Sequence, residues 1–112
     1  MVTLLLDRPF DDAEFNGAAE LDLRNIGPKV WPRVLAGCRS KALRLYHVTL
    51  PSLEGIERLD SVEDLAIEWV PKLTDLSPVF KLRGLTSLSV FDVRKVRHLD
   101  GIEELTGLTS LK

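Results

Sequence analysis

The sequence predicts an α/β fold in which one short motif recurs as the strands of a parallel sheet, and three observations carry that prediction. First, four segments share the pattern apolar-x-apolar-x-x-apolar: Leu21, Leu23, Ile26; Leu43, Leu45, Val48; Leu65, Ile67, Val70; Leu88, Val90, Val93. Second, their opening residues Leu21, Leu43, Leu65 and Leu88 lie 22, 22 and 23 residues apart, a regular period of the kind that stacked repeats show. Third, the apolar residues between the segments step by three: Leu50, Leu53, Ile56, Leu59, Val62; then Leu73, Leu76, Val79, Leu82, Leu85; then Val96, Leu99, Ile102, Leu105, Leu108. A step of three is neither the alternation of a strand nor the mixed three-and-four step of an α-helix. It suits a tight 3₁₀-like or polygonal coil with one side always inward.

Taken in order, the elements follow from these periods. Val2, Leu4 and Leu6 alternate like a strand, and Asp11 or Asp12 caps a short helix through Phe15. Residues 1–18 are expected to form an N-terminal cap, and residues 19–112 the repeats. Each alternating segment is a strand, and each three-step run is the arc that returns the chain to the next strand. The first arc differs. Pro28, Val30, Trp31, Pro32, Val34, Leu35 and Cys38 predict a short α-helix beginning near Pro32, because proline is tolerated in a first turn, with Gly37 as its stop. Leu111 follows Leu88 by 23 residues and opens a fifth copy.

This spacing resembles the leucine-rich-repeat family. The copy through Leu43, Leu45, Val48, Leu50, Leu53, Ile56 and Leu59 is similar to the short class of about twenty-two residues shared by bacterial internalins. The stretch Leu73-Thr74-Asp75-Leu76-Ser77-Pro78-Val79 looks like the internalin return loop. The resemblance covers residues 19–112 and implies a solenoid with a parallel sheet on its concave face, 3₁₀ or loop arcs, and a bacterial source. Two departures stand out. The family places asparagine at the strand-to-arc corner, where this chain has Ile26, Val48, Val70 and Val93. Copies three and four also carry an extra residue after the corner, at Pro71-Lys72 and Arg94-Lys95, which predicts bulges there.

Composition narrows the function classes. The chain has 112 residues, enough for one domain, with 45% hydrophobic and 29% charged residues and a formal net charge of -2. That balance draws it neither to DNA nor to an acidic membrane. No apolar stretch reaches the roughly 20 residues of a membrane span, and the N-terminal run lacks the features of a signal peptide. Cys38 is the one cysteine and cannot form an internal disulfide, which is compatible with a reducing compartment; with neither span nor signal peptide, a cytoplasmic setting is expected.

No enzyme motif is present: there is no Gly-x-Ser-x-Gly elbow and no Gly-x-Gly-x-x-Gly or phosphate loop. Glu63-Asp64 and Glu103-Glu104 are adjacent pairs on solvated arcs, not carboxylates across a cleft. His47 and His98 sit on different copies without metal spacing. No metal or cofactor is expected. Arg94, Lys95, Arg97 and His98 make a local basic patch, but the chain lacks any nucleic-acid fold signature. Cys38 reads as buried filler at the end of the first helix.

Function is therefore expected on the surface. Residues between the strand leucines point away from the core in columns: Glu20, Ala42, Asp64, Ser87; Asp22, Arg44, Ala66, Ser89; Arg24, Tyr46, Glu68, Phe91; and at the rim Asn25, His47, Trp69, Asp92. Tyr46, His47, Trp69 and Phe91 do not serve the core, and aromatics flanked by charge anchor protein interfaces. The expectation is a non-catalytic protein-binding module with those four at the contact centre and Arg24, Arg44, Glu68 and Asp92 supplying charge complementarity. The alternative is that the aromatics only pack on one another. A rival role is a structural or assembly subunit. There the apolar edge at Leu108 and Leu111 pairs with a second copy, because no capping sequence follows the fifth copy.

Overall fold

The computed structural model describes residues 2–10, 17–74, 76–82 and 84–91, together with the backbone strand at residues 110–111. Six strands form one parallel sheet in sequence order: β1 (Val2–Leu5), β2 (Glu20–Ile26), β3 (Ala42–Val48), β4 (Asp64–Glu68), β5 (Ser87–Phe91) and β6 (Ser110–Leu111). Register follows the leucines. Leu21, Leu43, Leu65, Leu88 and Leu111 stand side by side in one row, and Leu23, Leu45, Ile67 and Val90 in another. A parallel pair needs a crossover between its strands, and the arcs supply it. β1 joins as the strand beside β2, with Val2 opposite Leu21 and Leu4 opposite Leu23. The short helix expected through Phe15 and the three-step run from Val96 to Leu108 lie outside the described residues.

The step of three has a concrete backbone form. In the second arc the amides of Ile56, Leu59 and Val62 donate to the carbonyls of Leu53, Ile56 and Leu59 in turn. In the third arc Val79, Leu82 and Leu85 donate to Leu76, Val79 and Leu82. Each apolar residue thus bonds the apolar residue three before it, which keeps one edge of the arc inward. The 3₁₀ turns Ile56–Arg58 and Ser77–Lys81 are the regular parts of these runs. Leu53, Ile56, Val79 and Leu85 are fully buried, and burial of each such side chain contributes roughly 1.5–3 kcal/mol. Phe80, which falls outside the step of three, is buried as well.

A second device recurs where β3, β4 and β5 begin. The Ala19 carbonyl accepts from the amides of Lys41 and Ala42, Lys41 from Glu63 and Asp64, and Glu63 from Thr86 and Ser87. One carbonyl thereby satisfies two amides of the next copy, so the incoming turns are tied together as firmly as the strands.

The first arc contains the expected helix, α1 (Trp31–Gly37), with Pro32 in its first turn. The helix stops at Gly37, as expected, but without a left-handed cap; the chain leaves through Cys38 in an extended conformation, its amide bonded to the Val34 carbonyl. Trp31 is buried and its indole N–H donates to the Glu54 carbonyl at 3.0 Å, pinning α1 to the second arc. Gly55, at φ 93°, lets that arc pass close to Leu35. Cys38 is buried, with its sulfur 3.3 Å from the hydroxyl of buried Ser40.

At the corners Ile26, Val48 and Val70 are fully buried, so apolar contact stands where the resembled family has asparagine. The extra residue after Val70 closes a tight turn, with the Leu73 amide bonding the Val70 carbonyl at 3.3 Å. Pro71 takes the second position of that turn, where its fixed φ is favoured. Val93 and Arg94-Lys95 lie outside the described residues.

Candidate functional site

The pattern apolar-x-apolar-x-x-apolar leaves two consecutive residues off the core before the corner. A regular strand would turn the second of them inward. The chain avoids this by placing that residue in the left-handed region: Asn25 at φ 62°, His47 at 57° and Trp69 at 60°. They are the only non-glycine residues with positive φ among the described residues. Asparagine and histidine are enriched in this conformation, but tryptophan is an outlier there. The ladder continues through the corner, since the Trp69 carbonyl accepts from the Val48 amide and the Trp69 amide donates to Phe91.

This column is a contact chain of its own. The His47 Nδ1–H donates to Asn25 Oδ1 at 2.9 Å. The imidazole stacks on the Trp69 indole, with centroids 4.1 Å apart and planes 16° from parallel. Tyr46 meets the same indole edge-on at 5.8 Å. Beyond Asn25, the Arg8 guanidinium bridges to Asp7 at 3.2 Å and holds its carboxyl below the ordinary range.

Beside the column lies the charged part of the face. Arg24 Nε and Nη2 both donate to Asp22 Oδ2, at 3.3 and 3.0 Å. That pairing, Asp22 first, raises the Arg24 pKa above its usual value. Arg44 bridges to Glu68 on the next strand at 3.3 Å. Both guanidiniums lie near the Tyr46 ring, 5.1 and 5.9 Å from its centroid.

The sequence-derived site residues therefore come together in part. Arg24, Arg44, Tyr46, His47, Glu68 and Trp69 form one connected group. Phe91 stands in register with Glu68 and is 46% exposed, next to Trp69 at 45%. Asp92 and Leu108 lie outside the described residues, and Leu111 takes part in β6 through its backbone opposite Leu88. Two readings change. Asp22, placed among the outward columns, is 3% exposed, and its Oδ1 has no partner among the described residues. Arg24, Arg44 and Glu68 carry charge that is already paired within the chain. His47 is the middle of the column, between Asn25 and Trp69. Asn25 is not among the sequence-derived site residues; its signal is the two off-core residues in succession, which announce an irregular corner.

No family model, curated protein or solved structure matches the chain. Among the described residues no group of three His, Cys, Asp or Glu is placed to hold a metal ion, and no helix is long and apolar enough to cross a membrane.

Proposed function

We propose that the chain is a leucine-rich-repeat solenoid that binds another protein through the outward face of its sheet, without catalysis, in the cytoplasm. The in-order parallel strands, the three-step arcs and the recurring carbonyl pairs support the solenoid reading. The free, buried Cys38 fits a reducing compartment.

One observation carries the binding reading: Trp69, at the corner just after β4, and Phe91, the last residue of β5, are the exposed large hydrophobics among the described residues. Stacking on His47 and edge contact with Tyr46 cover part of Trp69, yet nearly half of it stays in water. Scattered apolar exposure is ordinary; two rigid aromatics side by side next to a fixed arginine pair match the make-up of interface anchors. The backbone behind them is tied by strand and arc bonds, so presenting them has a small ordering cost.

The test is quantitative capture of the bound partner from the source cells, with the intact chain and with Trp69→Ala and Phe91→Ala. Each variant is expected to weaken capture by about 2 kcal/mol, roughly thirtyfold, with little change in melting temperature. Unchanged capture together with a large fall in melting temperature would show that these residues serve packing alone.

A further inference from the structure

A groove of about 670 Å³ opens beside the left-handed column. Leu6, Pro28 and Val30 form its apolar side, and Asn25 and His47 form its corner side. Its two charged lining residues differ. The Asp7 carboxylate is bridged by Arg8 at 3.2 Å. Lys29 is exposed and has no acidic partner among the described residues. The groove is continuous with the aromatic face, because the same His47 that lines it stacks on Trp69.

We propose that this groove is the anchor pocket of the recognition surface, taking an apolar side chain from a partner segment whose neighbouring carboxylate pairs with Lys29. The proposal deepens the protein-binding reading and rests on it. Apolar walls supply affinity for a side chain that leaves water. A lysine at the rim selects for negative charge and steers its approach more than it adds affinity. The centre of the face is less suited to charge selection, since Arg24 is held by buried Asp22 and Arg44 by Glu68. Withdrawing Arg24 towards a partner would leave a buried carboxylate uncompensated.

The experiment uses the whole chain, labelled with ¹⁵N, and two probes: acetyl-Leu-Glu amide and acetyl-Leu-Lys amide. The acidic probe is expected to move the amide signals of Gly27, Lys29 and His47 with several-fold tighter binding than the basic probe. Lys29→Glu should reverse that preference. Shifts with neither probe, or equal shifts with both that Lys29→Glu does not alter, overturn the proposal. Concentration-dependent shifts of the same signals without any probe would assign the groove to a second copy and also overturn it. The two readings fail separately. Absent probe binding alongside lost capture by Trp69→Ala defeats the groove alone, whereas Lys29-dependent probe binding alongside unaffected capture by Trp69→Ala upholds the groove and defeats the face.

Discussion

Trp69 holds a backbone conformation that costs a bulky L-residue about 1–3 kcal/mol, and its neighbours in the column do so at positions 25 and 47. The cost separates two effects that a simple truncation mixes. At an ordinary strand position glycine is less stable than alanine. At position 69 the order should invert: Trp69→Gly is expected to be about 1 kcal/mol more stable than Trp69→Ala, measured by urea unfolding. Alanine matching or exceeding glycine would mean that the corner is not strained. Arg24 and Arg44 offer a second contrast. Arg24 donates twice to a buried carboxylate whose other oxygen has no partner among the described residues, while Arg44 makes a part-exposed bridge. Arg24→Ala is expected to destabilise more than Arg44→Ala, because Asp22 is left unsatisfied. Arg44→Ala should cost under about 1 kcal/mol. Equal losses would contradict the role given to Asp22. Neither point was legible in the sequence. Alternation puts Asp22 among the outward columns, but says nothing of its burial or of the Arg24 bridge to it. The doubled off-core residues announce an irregular corner without saying that tryptophan would adopt the left-handed torsion.

The arcs show what periodicity does and does not convey. Leu53, Ile56, Leu59 and Val62 reveal in sequence the i-to-i+3 bonds that the backbone makes, because in that coil residues three apart lie on one edge. The α-helical exception was legible from Trp31-Pro32 and the apolar Val34, since proline suits a first helical turn. Its stop at Gly37 was legible too, but not its form, because the chain leaves through an extended Cys38 and not a left-handed glycine. Phe80 was missed for a related reason: the 3₁₀ turn Ser77–Lys81 buries both Val79 and its neighbour. The corner after β4 gives the element-scale prediction. Val70 is fully buried, and the Leu73 amide that faces this turn is already bonded to the Val70 carbonyl. Val70→Asn would bury an amide with no free partner in the turn, so a loss of about 1–3 kcal/mol is expected in chemical denaturation. A gain in stability would show that the proline turn leaves room for the asparagine found in the resembled family.

At the scale of the molecule, strand order equals sequence order, so each outward column crosses the sheet as a straight row. That arrangement turns a sequence column into a surface strip: Arg24, Tyr46, Glu68 and Phe91 are neighbours because their strands are. It is also why most of the candidate site could be read before any coordinates. What could not be read were the internal ion pairs, which make the centre of the face nearly self-neutralised, so that the proposed recognition rests on the aromatics. The central claim, that this face meets another protein, is tested most directly by photo-crosslinking in the source cells. A benzoylphenylalanine placed at Phe91 is compared with one at Glu57, which lies in the second arc. The account predicts a crosslinked foreign chain from position 91 and none from position 57. Absence of any adduct from position 91, or the same adduct from both positions, would contradict it.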